Sequence, residues 1–196
     1  MNTKPIIPQN SNIDQTNYYS FSNLFSDEEL GWIDNLQKLY PQVGATTVGD
    51  DSDTNPIRKS TIKWIHHDQF SSWLYDKIVD LASHANNELW GFNLHSVLDS
   101  IQYTEYYDDG GHYDWHVDIG PNTINHRKIS ITIQLSDPED YEGGDFELWV
   151  GGNFQKLPKA KGDAILFPSF LLHRVTPITK GTRKSLVLWI GGGSYK

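Results

Sequence analysis

The segment Tyr107-Asp108-Asp109-Gly110-Gly111-His112-Tyr113-Asp114-Trp115-His116-Val117-Asp118 holds two His-x-Asp pairs, His112/Asp114 and His116/Asp118. Side chains two apart on a strand share a face, so each pair presents an imidazole and a carboxylate to one point, which suits a divalent metal. A third pair, His66/Asp68, lies upstream, and a chain with eight His and 25 acidic residues makes such pairs readily by accident. The two central pairs share strand parity, so alternation does not choose between them. A useful site needs a third ligand from far along the chain. His173 is the candidate, placed after the apolar run Ala164-Ile165-Leu166-Phe167 and the turn Pro168-Ser169, where a strand entrance can aim a side chain back into a barrel. Two His and one carboxylate leave three adjacent positions on iron(II) for a substrate and dioxygen. Ten residues on, Arg183 precedes the apolar Leu186-Val187-Leu188-Trp189-Ile190, and a permanently charged guanidinium inside such a pocket suits bidentate capture of a carboxylate.

The elements that must position these residues change character along the chain. Ser26-Asp27-Glu28-Glu29 has capping-box spacing, and Leu30, Ile33, Leu36, Leu39 and Tyr40 recur at helical period before Pro41, which predicts a helix of about four turns. A second helix is predicted over roughly 69–89, with Asp68 as its cap and Trp73, Leu74, Ile78, Leu81, Ala82, Ala85 and Leu89 as its buried stripe. From Val97 the apolar period falls to two, most cleanly in Ile129, Ile131, Ile133 and Leu135. Seven or eight short strands follow, separated by Gly, Pro, Asn and Asp. The expected fold is mostly β with flanking N-terminal helices, a double-stranded β-helix (jelly roll). Residues 1–20 read as a flexible segment, with order beginning near Phe21, and 21–196 as a single domain; 43–55 and 121–126 read as loops that select the substrate.

The ordered set Tyr107, Gly110-Gly111, Tyr113, His116 and Asp118, then the Arg127–Ser136 strand with the acidic Gly143-Gly144 turn, then Phe167-Pro168-Ser169, His173, Val175-Thr176-Pro177, Gly181, Arg183 and Trp189 resembles the iron(II)- and 2-oxoglutarate-dependent dioxygenases, in particular the prolyl 4-hydroxylase-like branch. Arg58, Ser60 and Trp64 are similar to an upstream segment of the same branch, so the resemblance spans roughly 58–190. It implies that His116, Asp118 and His173 are the catalytic metal ligands and that Arg183 pairs with the distal carboxylate of 2-oxoglutarate, with Tyr107 and Gln134 near the co-substrate. It implies a substrate entrance lined by Tyr113, Trp189, Arg127 and Arg58. Iron(II), 2-oxoglutarate and dioxygen would be required, with ascorbate as a supporting reductant, and the reaction would hydroxylate a C–H bond of a peptidyl or amino-acid-like substrate, proline first. Collagen-type enzymes usually have Lys where this chain has Arg183, a choice shared with oxygen-sensing and bacterial branches. The resemblance also favours hydroxylation over halogenation, since related halogenases have a small residue at the place of Asp118.

Composition narrows the remaining classes. With no cysteine in 196 residues, disulfide frameworks, zinc fingers, iron–sulfur clusters and thiol nucleophiles are excluded. A net charge of −9 counts against nucleic acid as a partner, and so against a nucleobase substrate. The expected partner is a protein or peptide substrate, with a small molecule as the alternative and a non-catalytic jelly-roll binding module as the competing class. Met1-Asn2-Thr3-Lys4-Pro5 lacks an apolar signal core and no run approaches the ~20 residues of a membrane span, so a soluble, cytoplasmic protein without membrane partners is expected.

Overall fold

The computed structural model describes residues 17–45 and 56–193, so most of the 1–20 segment and of the 43–55 loop lies outside the described residues. Ser26 caps helix α1 (Asp27–Leu36): its hydroxyl accepts from the Glu29 N–H at 3.3 Å and Glu29 Oε2 accepts from the Ser26 N–H at 2.8 Å. Both orphan donors are satisfied by local contacts, which is why this terminus is legible from four residues. The helix tightens into a 3-10 turn at Gln37–Leu39 rather than continuing to Tyr40. Ser26→Ala should cost about 1 kcal/mol, read as a lower urea midpoint at unchanged slope.

Helix α2 (Ser72–Ala85) starts three residues later than predicted. Asp68 caps the turn before it, accepting from the Phe70 and Ser71 N–H groups at 2.8 and 3.1 Å. After Ala85 the chain widens into a π turn, Asn86–Trp90, closed by Gly91 at φ 64°. Among the described residues no helix is long and apolar enough to cross a membrane.

Fourteen strands occur among the described residues: β1 Tyr19–Phe21, β2 Val43–Gly44, β3 Arg58–Lys59, β4 Thr61–Ile65, β5 Leu94–Val97, β6 Ile101–Tyr107, β7 His112–His116, β8 Arg127–Gln134, β9 Tyr141–Gly143, β10 Phe146–Val150, β11 Asn153–Lys156, β12 Ala164–Pro168, β13 His173–Val175 and β14 Ile178–Gly192. A nine-stranded sheet runs β1-β12-β8-β14-β6-β4-β2, with β5 and β9 also paired to β14; a five-stranded sheet runs β11-β10-β13-β7-β3. β1 begins two residues before the expected onset of order, with Tyr19 opposite Leu166. β14 extends well beyond the apolar Leu186–Ile190 run, because its first residues pair with β9 before the rest enters the large sheet. Gly181 makes that change of partner possible: its φ is 73°, and a Cβ there would overlap the Asp140 carbonyl.

The large sheet is the middle of three layers. Ile129, Ile131 and Ile133 of β8, Ala164 and Leu166 of β12, and Leu186, Leu188 and Ile190 of β14 pack with α1 and α2 residues such as Ile33, Leu74 and Ile78. The opposite parity faces the small sheet, where Ile165 and Phe167 join Phe146, Leu148 and Val175. Both faces of these strands are therefore covered, and the polar members Ser130, Thr132, Gln134, Arg183 and Ser185 are buried between the sheets. This is the expected jelly roll, with the helices on the outer face of the large sheet.

Candidate active site

The inter-sheet space opens into a cavity of about 340 Å³ whose lining includes His116, Asp118, His173, Arg58 and Arg183. His116 on β7 stands directly opposite His173 on β13. Asp118 follows β7, its N–H bonded to the Ser169 carbonyl at 2.9 Å. His116 Nε2 lies 3.7 Å from Asp118 Oδ1 and His173 Nε2 lies 3.4 Å from Oδ2. Both spans are within reach of two bonds of ~2.1 Å to one shared ion. The three ligand atoms all lie within 4.8 Å of one another.

Supporting contacts fix how these groups point. His116 Nδ1 donates to the Asp114 carbonyl at 2.7 Å and His173 Nδ1 to the Leu171 carbonyl at 2.9 Å, which leaves the Nε2 lone pairs for a metal. The Ser130 hydroxyl donates to Asp118 Oδ2 at 2.7 Å and lies 2.9 Å from Ser169 Oγ. Burial, with the facing His173, pushes His116 down to about 3, so its imidazole is neutral at physiological pH. Burial alone would raise Asp118, but the two imidazoles and the Ser130 hydrogen bond outweigh it and hold the carboxyl below its ordinary value. Because His116 takes up a proton less readily folded than unfolded, thermal unfolding of the metal-free protein should shift to lower temperature as pH falls from 6.5 towards about 3.

The structure separates the two His-x-Asp pairs. His112 faces backbone carbonyls instead, Gly110 at 2.8 Å and Pro56 at 3.1 Å, and Asp114 is exposed. His66 Nδ1 lies 2.8 Å from Ser100 Oγ. Among the described residues His116, Asp118 and His173 are the one group of this kind placed to hold an ion.

Arg183 is 1% exposed. It donates to Gln134 Oε1 at 2.9 Å and to Ser185 Oγ at 3.4 Å, and lies 5.5 Å from the Tyr106 ring centroid. All of these partners are neutral, and no carboxylate lies within 4.0 Å of Arg183 among the described residues. The Gln134 Nε2 donors are also buried without a partner. Gly144 lies against this side chain: at φ 60° it gives way to Arg183 Cδ and Ile178, where a Cβ would intrude.

Tyr107 requires a correction. Its hydroxyl donates to Glu105 Oε2 at 3.0 Å and accepts from Gln42 at 3.3 Å, on the face of β6 turned away from the cavity. Gln102 and Tyr106 line the cavity, so adjacent tyrosines differ by one step of pleat and the inward one is Tyr106. Tyr113, Trp189, Arg127 and Arg58 all line it. Tyr113 stacks on His116 with ring centroids 3.4 Å apart, and burial pushes its phenol up to about 12. Arg127 lies 3.9 Å from the Trp189 ring centroid and is bound to Asp99 Oδ2 at 2.6 and 3.1 Å. Ser130, Tyr106, Gln102 and Ser185 were not singled out from sequence, and Ser169 entered only as part of the Phe167-Pro168-Ser169 turn. For Ser130 and Gln102 the available signal was their parity with polar inward neighbours.

A family model described as the 2OG-Fe(II) oxygenase superfamily matches residues 101–191. The match spans just under half of the chain, and over that segment the protein is similar to the 2OG-Fe(II) oxygenase superfamily. A PKHD-type hydroxylase of Teredinibacter turnerae is 43% identical over 89 residues, 43% of this chain and 39% of that protein. The chain thus matches about two fifths of the length of the curated relatives. A Trichoplax adhaerens prolyl hydroxylase superimposes with TM-score 0.76 at 19% identity, covering 92% of this chain and 86% of the other. The viral collagen prolyl hydroxylase of Paramecium Bursaria Chlorella virus-1 gives TM-score 0.67 at 20% identity, with 92% and 98% covered. The superfamily uses iron(II), 2-oxoglutarate and dioxygen, and the donor set of two imidazoles and a carboxylate fits that metal.

Proposed function

We propose that residues 21–196 act as one catalytic domain that hydroxylates a C–H bond of a peptidyl or amino-acid-like substrate, proline first, with iron(II), 2-oxoglutarate and dioxygen. The observation that carries this reading is Arg183: a fully buried guanidinium with neutral partners only, lining the same cavity as the metal-ligating trio. A buried charge without a counter-charge is costly, and a carboxylate ligand offsets that cost. In this reading His116, Asp118 and His173 hold iron, while Arg183, Gln134 and Ser185 hold the distal carboxylate of 2-oxoglutarate.

Iron(II) so placed, with the 2-oxo acid and dioxygen, supplies the oxidising power to break an unactivated C–H bond. The chain's own part is placement. The Nδ1–carbonyl bonds and the Ser130–Asp118 contact hold the ligands in orientation, and the buried walls of Tyr106, Phe146 and Phe167 exclude water. Arg127, tied to Asp99, steadies Trp189 at the substrate side and reaches the Asp118 carbonyl at 3.4 Å. A peptide substrate is supported by the Trichoplax neighbour, which is a complex with a hypoxia inducible factor oxygen degradation domain peptide fragment.

Anaerobic addition of iron(II) and 2-oxoglutarate should give the weak visible charge-transfer band of a chelated 2-oxo acid, with succinate formed on admitting air. Absence of both the band and succinate would overturn the reading; a band without succinate would favour the binding module.

A further inference from the structure

Among the described residues, the arginines and carboxylates lining the cavity are three arginines and one aspartate. Arg127 is neutralised by Asp99 at 2.6 Å. Arg183 is assigned to the co-substrate above. Arg58 remains, and it is 8% exposed. Its Nη2 donates to Gln102 Oε1 at 2.7 Å and its Nε to Ser60 Oγ at 3.0 Å, and it lies 4.6 Å from the Tyr113 ring centroid. No carboxylate lies within 4.0 Å of it among the described residues. Arg58 therefore repeats the Arg183 cradle part for part: an amide oxygen, a serine hydroxyl, a tyrosine ring and no counter-charge.

Formal charge shows that the second cradle is not satisfied by the first one's ligand. Among the described residues, a bound iron(II) and 2-oxoglutarate dianion would cancel, Asp118 would cancel one guanidinium, and one positive charge would remain. The two guanidinium groups also have separate anchors: Arg183 packs beside Tyr106 and Arg58 is held by Gln102, four residues earlier on the same face of β6.

We infer that Arg58 is a second carboxylate receptor, and that the substrate presents a carboxylate to it while offering the neighbouring C–H bond to the metal. This rests on the oxygenase reading above. The carboxylate can come from a substrate's own α-carboxyl group or from an acidic side chain beside the residue attacked. Arg58 then sets specificity, since a neutral analogue leaves a buried guanidinium without a counter-charge.

The test uses protein saturated anaerobically with iron(II) and 2-oxoglutarate, titrated calorimetrically with N-acetyl-L-proline, N-acetyl-L-prolinamide and N-acetyl-L-aspartyl-L-prolinamide. One of the two acids should bind at least about tenfold tighter than prolinamide, and which one does identifies the source of the carboxylate. Arg58→Gln should erase the preference. Gln102→Glu should erase it too, by supplying an internal counter-charge without removing the arginine, and Arg58→Lys should keep part of it. The charge-transfer band, followed in each variant, reports the co-substrate site independently of substrate binding. Its absence in the parent protein would sink the oxygenase reading itself. A normal band with acids and amide equal, or with none bound, would overturn the Arg58 assignment alone. A tenfold loss of 2-oxoglutarate affinity in Arg58→Gln would overturn it as well, by giving Arg58 to the co-substrate.

Discussion

Asp118→Ala is expected to abolish stoichiometric iron binding and all succinate formation, and to make the metal-free protein less stable than the parent at neutral pH. The carboxylate is the one anionic ligand in the trio and bridges both imidazoles, with Oδ1 towards His116 and Oδ2 towards His173. Without it, two imidazole nitrogens on facing strands remain, too few donors to retain iron(II) against water. The stability half follows from the lowered pKa of the carboxyl. Asp118 is 7% exposed, and its contacts with the two imidazoles and the Ser130 hydroxyl outweigh its desolvation, so the substitution removes net stabilisation even though Ser130 can re-pair with Ser169. Calorimetric unfolding with and without iron(II) checks both parts: the parent should gain a metal-dependent rise in midpoint and the variant none. Ser130→Ala should act more mildly, costing about 10–100-fold in metal affinity.

Gln134→Glu is expected to cost 2-oxoglutarate roughly 2–5 kcal/mol of binding, about thirty-fold or more, with iron binding retained. The substitution is close to isosteric and places a carboxylate 2.9 Å from Arg183, where the neutral amide oxygen sits now. The guanidinium then carries its own counter-charge and no longer gains by taking one from the co-substrate. Arg183→Gln should lose affinity by a different route, removing the charge itself. If the assignment is right, both variants show iron binding without the visible band at parental co-substrate concentrations. A Gln134→Glu protein with unchanged 2-oxoglutarate affinity would mean that Arg183 is buried for packing alone.

What could be read in advance followed how local the determinants are. The α1 start depends on hydrogen bonds spanning three residues, so Ser26 and Glu29 suffice to place it. The β8 alternation carried the layer order, because its isoleucines had to find an apolar layer and its Ser, Thr and Gln a polar one. At Tyr106-Tyr107 the residue types are identical, so composition offered no preference and only the pairing of β6 with β14 decides which ring turns inward. The two-residue strand Arg58–Lys59 has no periodicity of its own; it exists because it pairs with Tyr113 and His112 of β7, and its acceptor Gln102 lies 44 positions away. The neutrality of the Arg58 and Arg183 surroundings is likewise a property of several strands at once.

The pairing of His116 with His173 has a bearing on how the chain opens. The two residues are neighbours across strands yet separated by 57 positions, and Asp118 is tied through Ser130 to the other sheet. An ion held by all three therefore ties β7 to β13, which cannot part without releasing it, and through the Ser130–Asp118 hydrogen bond it steadies β8 of the other wall. Amide hydrogens on these strands should exchange more slowly once iron(II) is bound, whereas those of α1 and of the β10–β11 hairpin should exchange at their metal-free rates.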